Sequence, residues 1–450
     1  MDEGARARAG RSARRWAGPV AAAVAAVLLA VLAWAAPPRS ERTVAARPGR
    51  PAPVPAGVTA EGWVWSAPGG AEVVGIEPGS HGPLVLLDDG LVALDGRTGE
   101  PLWTHRYPGE ALVDSGVLDG GRWAYVLRHA GWPRSEERRM RVLDPGTGGE
   151  ADDFPLPGED GDTVVFAGSL PVQVRVGGHG GALTLAARDP RSDRQLWDLT
   201  LPGGGDVPCE PDAAPLVHGD TLLVAYACAE PELLYTHAGD GPSGGEVEVT
   251  VLALEARTGE RVWSRAWPVD AVRWGQGGTL LSPGGPPVTE GARTALEVHL
   301  TVEHWADHVL DPATGEDAVR PPDPGGLTAP GLVHADTATL VHTDHDGTVR
   351  VHRTSAADGR SSWSAVEGVD PAQLAEEAVA LVEGTVLLAE PGGSFQEADA
   401  LVVPAAEGSP PYRIPLTGGV PTGTALLRAV PGAVVVAASG GYGSVHGLVP

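Results

Sequence analysis

Two stretches, Ala93-Leu94-Asp95-Gly96-Arg97-Thr98-Gly99-Glu100-Pro101-Leu102-Trp103 and Ala253-Leu254-Glu255-Ala256-Arg257-Thr258-Gly259-Glu260-Arg261-Val262-Trp263, state one phrase twice. Weaker copies place Thr147-Gly148, Ser192-Asp193, Thr314-Gly315, Asp358-Gly359 and Glu407-Gly408 in the same register. The second position is Gly in six of the seven copies: Gly99, Gly148, Gly259, Gly315, Gly359 and Gly408. Five residues after the Thr position stand Trp103, Trp197, Trp263, Trp363 and Tyr412, with Asp152 and Val319 as exceptions. Three residues before it stand Asp95, Asp144, Asp189, Glu255 and Asp311, with Ser355 and Pro404 departing. The phrase reads as strand, tight turn, strand. Asp and Thr side chains satisfy turn amides, Gly accepts positive φ, and the Trp goes inward against the next repeat.

Successive copies lie 49, 45, 66, 56, 44 and 49 residues apart. The first unit reads as four short strands, 72–76, 84–87, 91–94 and 102–107, separated by turn signals. Trp outnumbers Phe and Tyr together, 13 against 9, which suits a repeated docking side chain. Four-stranded units of about 40–50 residues are the signature of an all-β propeller. Seven registered turns give seven blades. The tail then offers three more strands, 425–430, 434–437 and 445–449, while Trp63-Val64-Trp65 stands unclaimed before the first unit. A last blade completed by that amino-terminal strand, with Trp65 as its docking side chain, closes the ring with eight blades and no free edge. Seven blades would require the tail strands to lie elsewhere.

The repeat resembles the pyrroloquinoline-quinone-type propeller repeat family, whose hallmark is an A-L-D-x-x-T-G-x-x-x-W stretch. The match is strong at 93–103 and 253–263 and partial elsewhere, and the copies cover nearly all of residues 61–450. The resemblance implies two functions. One is a quinone-dependent dehydrogenase, with the quinone on a Trp floor, a calcium ion, a catalytic Asp and, in alcohol-oxidising members, a cap of two adjacent cysteines. The other is an envelope propeller that assists an assembly machine. Cys209 and Cys228 are not adjacent, and no cytochrome C-x-x-C-H motif occurs. The expectation is therefore a non-catalytic interaction scaffold with no cofactor and no catalytic or metal-binding residue. A dehydrogenase-like or ligand-sensing propeller with a site in the central channel is the alternative, since fold alone does not carry function.

With 450 residues the chain exceeds one ordinary compact core, and its 42% hydrophobic content still permits a packed body despite 63 Gly and 42 Pro. All 32 basic residues are Arg; residues 1–50 carry a net charge of +6, leaving −32 on residues 51–450. That charge repels a phosphate backbone and excludes nucleic-acid binding by the body. Residues 1–16 are basic, with Arg6, Arg8, Arg11, Arg14 and Arg15, and residues 17–36 form an uncharged apolar run. Twenty residues span about 30 Å as a helix, the thickness of the hydrocarbon core. This predicts a signal anchor in the lipid bilayer with a cytoplasmic amino terminus and an exported body; a signal peptide cut after Ala35, giving a secreted protein, is the alternative. Residues 37–60, rich in Pro, Ala, Gly and Arg, read as a stalk.

Cys209 and Cys228 flank a hairpin, 216–224, whose apex pairs His218 with Thr221. The two cysteines then fall nearly opposite each other on adjacent strands, and an exported compartment permits a disulfide. Gly241-Pro242-Ser243-Gly244-Gly245 matches the nucleophile-elbow spelling but follows a polar loop rather than a strand. His342, Asp344, His345 and Asp346, and the pair His304 and His308, lack the context of a metal site: Asp346-Gly347 reads as a hairpin turn, and Arg353 stands where a calcium loop carries its closing Glu. Arg128, Arg134, Arg138, Arg139 and Arg141 form a basic insertion, and 230–245 and 276–294 are two more long insertions. Loops extended beyond the scaffold's need are candidate partner contacts, against a plain solvated surface.

Overall fold

The computed structural model describes residues 40–45, 49–118, 121–129, 137–156, 163–167, 170–176, 183–189, 192, 194–201, 209–212, 215–234, 245–270, 280–283, 296–298, 300, 308–319, 332–335, 339–343, 348–354, 361–366, 379–382, 385–390, 399–404, 409–417, 424–439 and 444–450. The basic amino terminus and the apolar run 17–36 lie outside them. Among the described residues no helix is long and apolar enough to cross a membrane. Residues 41–450 form one compact unit.

The described strands fall into eight antiparallel sheets. Sheet 1 is built from Val73–Pro78, Pro83–Leu87, Gly90–Leu94 and Pro101–Arg106, within two residues of the sequence reading. Sheet 2 comprises Asp114–Leu118, Trp123–His129, Arg138–Leu143 and Glu150–Leu156, and sheet 3 comprises Thr163–Ala167, Leu170–Val176, Leu183–Arg188 and Gln195–Thr200. Sheet 4 has Cys209–Pro211 and Leu216–His218 both paired to Thr221–Cys228, followed by Glu246–Glu255 and Arg261–Asp270. Sheet 5 runs from Leu281–Pro283 through Leu296–Val298 and His308–Leu310 to Asp317–Val319. Sheets 6 and 7 begin at Leu332–Ala335 and Val379–Val382 and end at Ser361–Val366 and Tyr412–Pro415. Sheet 8 joins Thr424–Val430, Ala433–Ser439 and Ser444–Val449 to the amino-terminal strand Ala60–Ser66, with Trp63 opposite Gly447 and Trp65 opposite Val445.

Apolar clusters lie between sheets, since each sheet buries both faces. One cluster joins Trp63, Val73, Ile76 and Val85 to Val430 and Val435, seating sheet 8 on sheet 1. Others join sheets 1 and 2, 2 and 3, 3 and 4, 4 and 5, 6 and 7, and 7 and 8. Residues 320–331, between sheets 5 and 6, lie outside the described residues.

Residues 41–45 and 49–60 differ from the stalk expected of them. Glu41–Thr43 pairs with Pro101–Arg106 as an outer fifth strand of sheet 1, with Glu41 opposite Arg106. Farther on, Gly432 donates to the Pro53 carbonyl at 3.0 Å, Thr59 donates to the Val449 carbonyl at 2.8 Å, and Val58 is wholly buried beside Leu427 and Leu448. Two isolated valines, Val54 and Val58, supply the apolar contacts of this segment with that cluster. Pro-rich composition favours an extended chain but does not stop that chain from lying on a surface that satisfies its amides.

Candidate functional site

The turns work as the phrase requires. Asp95 Oδ1 accepts from the amides of Arg97 and Thr98, Thr98 Oγ1 accepts from the Glu100 amide, and the Gly99 amide closes the turn on the Asp95 carbonyl at 2.8 Å. The same set recurs at Asp144, and at Glu255 and Asp311 the acid accepts from one turn amide while the Thr hydroxyl and the Gly amide act as before. Gly99, Gly148, Gly259 and Gly315 have φ near +70°, the left-handed region in which a side chain is strained.

Each of these four turns receives an indole from the neighbouring sheet. Trp103 Nε1 donates to the Pro145 carbonyl, Trp197 to Ala256 and Trp263 to Pro312, at 2.7–2.9 Å. A Cβ on Gly148, Gly259 or Gly315 would lie 2.7 to 2.8 Å from those rings, so the glycine is also the floor on which the indole rests. In sheet 8 this position belongs to Trp63, whose Nε1 donates to the Gly96 carbonyl at 2.9 Å and whose ring covers Gly99. Trp65 is instead half-buried against the same cluster. Tyr412, 38% exposed, donates through its hydroxyl to the Val58 carbonyl at 2.6 Å. Trp363 lies in the last strand of sheet 6; its side chain, Gly359 and Gly408 fall outside the described residues.

Cys209 and Cys228 stand opposite each other in register and are joined by a disulfide. The pairing slips by two residues between Cys209–Pro211 and Leu216–His218, which is why the hairpin reading missed perfect opposition by two. By loop-closure entropy the link across a 19-residue separation contributes about 3 kcal/mol. Below it, Asp212 is buried and accepts from the Leu281 amide at 2.9 Å, tying sheet 4 to sheet 5.

Within the basic insertion Arg128, Arg138, Arg139 and Arg141 stand in strands of sheet 2, and three of these cations are paired within the molecule. Arg141 pairs with Asp153 and Glu150, Arg139 with Asp153 and Glu137, and Arg128 with Glu110. Arg128 lies over the Tyr107 ring at 5.0 Å, and Arg141 donates to the Tyr107 hydroxyl at 2.6 Å. Burial, reinforced by Arg128, lowers the pKa of the neighbouring His105 to about 4, and burial raises that of Tyr107 to about 12. Both rings are therefore neutral at neutral pH, and the Tyr107 hydroxyl can donate to His105 Nε2, 3.0 Å away. Arg134 lies outside the described residues, as do the elbow-like 241–244, His304 and Asp344 to Asp346. His308 is stacked on Trp267 and lies 3.7 Å from Asp317. Among the described residues no group of three His, Cys, Asp or Glu is placed to hold a metal ion.

Two acidic groups couple the body to pH. Burial raises the pKa of Glu61, but hydrogen bonds from Thr417 and His446 outweigh it and hold the carboxyl below its usual 4.5. At Asp153 burial is likewise outweighed, by Arg141 and Arg139, leaving it below 3.8. A carboxyl with a lowered folded pKa contributes stability that is fully present above its unfolded value and is lost as pH falls through the folded one. Thermal unfolding is thus expected to be insensitive to these groups at neutral pH and to weaken below about 4.5. Glu61→Gln should flatten that acid limb; an unchanged slope would remove Glu61 from the account.

Between sheets 2 and 3 lies a cavity of about 670 Å³. Its apolar walls are Leu118, Trp123, Val142, Phe154, Leu170 and Leu196, and Asp152, Asp189 and Arg257 supply its charges. Leu196 is 38% exposed, so the opening faces solvent. Asp152 was visible in the sequence as an exception to the phrase; that a cleft stands beside it was not.

The geometry can now be set beside known proteins. Residues 247–445 match the family described as outer membrane protein assembly factor BamB. No curated protein matches the sequence. Among solved structures, BamB from Moraxella catarrhalis is similar at 14% identity and a TM-score of 0.47, over 86% of this chain and 99% of that one. The computationally designed protein Ika8 is similar at 16% identity and a TM-score of 0.46, over 85% and 98%. A quinohemoprotein alcohol dehydrogenase from Pseudomonas putida HK5 is similar at 15% identity and a TM-score of 0.39, over 86% and 76%. Repeated four-stranded antiparallel sheets with a Trp docked on the next turn are the architecture of a β-propeller, and residues 247–445 carry a repeat similar to that of the matched family.

Proposed function

We propose that the chain is a non-catalytic protein-interaction scaffold of the cell envelope. Its eight sheets close into one ring, and residues 17–36 hold the ring at the outer side of a membrane with the amino terminus in the cytoplasm. The match of residues 247–445 to an assembly factor carries this reading. Pairing of Ala60–Ser66 with Ser444–Val449 supports closure, because it completes sheet 8 with a strand that precedes sheet 1's four blade strands in the chain. The apolar run after five arginines supports the anchor.

The catalytic alternative is tested by adding pyrroloquinoline quinone and calcium to the full chain and following dye-linked alcohol oxidation. The scaffold reading expects no saturable turnover, and saturable turnover would overturn it. Photo-crosslinking in intact cells from residues placed in 130–136 and 235–244 is expected to yield reproducible protein adducts. These windows spare the strands of sheets 2 and 4, which a wider deletion would destroy.

A further inference from the structure

The junction between sheets 2 and 3 departs from the docked junctions on both sides at once. Asp152 stands where Trp103, Trp197 and Trp263 stand in their sheets, and the turn that follows carries Asp193 where the others carry Gly. The two changes belong together. An indole at this place lies within 2.5–2.8 Å of where a Cβ would sit at Gly99, Gly148, Gly259 and Gly315, so a docked indole and a non-glycine residue exclude each other. The residue opposite the docking position has changed as well. Ala93, Ala187 and Ala253 face the three indoles, whereas Val142 faces Asp152. The chain fills its other described docks with its own tryptophan and leaves this one as a cavity of about 670 Å³.

We propose that this cleft is a docking site for an aromatic side chain of a partner protein, presented on a basic segment. The proposal rests on the scaffold reading and names the chemistry of its partner. The volume falls within the range of sites that enclose a ligand group, and the walls, Trp123, Phe154 and four aliphatic residues, suit a ring. Asp152 and Asp189 line the same cleft, on a body of net charge −32, so the field at the opening attracts cations and steers a basic segment toward it. Arg257, from the turn of sheet 4, adds a planar cation of the kind that stacks on aromatic faces. Aromatic and Arg side chains are also the usual anchors of protein interfaces, and a pocket with acidic and apolar lining accepts both.

The test is a fluorescence-anisotropy titration of the full chain with three labelled peptides whose cores are Arg-Trp-Arg, Arg-Ala-Arg and Glu-Trp-Glu. The first is expected to bind at least about tenfold more tightly than either of the others, a difference of about 1.4 kcal/mol. The double substitution Asp152→Trp with Asp193→Gly rebuilds the missing dock and fills the cleft from within. It should weaken binding of the first peptide at least about tenfold while thermal stability is kept or raised. Leu196→Arg, at a partly exposed position on the cleft wall, should weaken it without disturbing the fold. Equal binding of the three peptides, or binding unchanged in both variants, would overturn the assignment of the cleft. Neither result touches the scaffold reading, which falls on turnover.

Discussion

Trp103→Ala is expected to lower the unfolding free energy by about 3–5 kcal/mol, the range for emptying a buried aromatic site. Trp103 is completely buried, its ring rests on Gly148, and its Nε1 satisfies the Pro145 carbonyl. The loss therefore combines a cavity with an acceptor left without its donor. Trp103→Phe separates the two. It keeps most of the ring and removes the hydrogen bond, at an expected cost of about 1–2 kcal/mol plus a smaller packing loss. Trp197 makes the same contacts but is only partly buried, so Trp197→Ala should cost less. Thermal melts of the three variants rank these effects. Equal melting temperatures for Trp103→Ala and the parent protein would show that the docks do not hold the sheets together.

The second large effect is expected at the seam between the two ends of the body. Gly447 lies opposite Trp63, and a Cβ there would approach the indole to 2.0 Å. Gly447→Val should push the ring out of its dock and break its bond to the Gly96 carbonyl. The cost should approach that of losing the side chain, about 3–5 kcal/mol. A double-mutant cycle identifies the cause. Trp63→Ala removes the ring with which the valine collides, so the double variant should melt close to Trp63→Ala alone rather than at the sum of two losses. Additive losses would mean that Gly447 matters for some reason other than the indole.

Much of this architecture can be read in the sequence because the repeat is local. Asp, Thr and Gly act on amides within five residues, so Asp95 to Glu100 announce a turn wherever they occur, and the Trp five residues after Thr follows a fixed offset. The cysteines were legible for a similar reason, since a hairpin fixes the register of everything beyond it. Trp63 had no such ruler. Its sheet is completed across the two ends of the body, so no turn counts forward to it, and Trp65 was the equally plausible choice. The usable signal was the partner residue: small residues face the docking indoles, and Gly447 faces Trp63 where Val445 faces Trp65. The strap at 41–60 was hidden because two valines among prolines form no periodic pattern. The arginines were legible only as a cluster, because the acids that pair with Arg128, Arg139 and Arg141, namely Glu110, Glu150 and Asp153, stand outside it in the sequence.

The seam also sets a timetable. Glu61 and His446 touch across 385 residues of chain, so a strand made early pairs with one made much later. Until then Trp63, Val64 and Trp65 travel on an unpaired edge, and the pairing carries the loop-closure entropy of the whole span. A chain halted before residue 444 therefore lacks the partner of Ala60–Ser66 and leaves Trp63 and its neighbours exposed to aggregation.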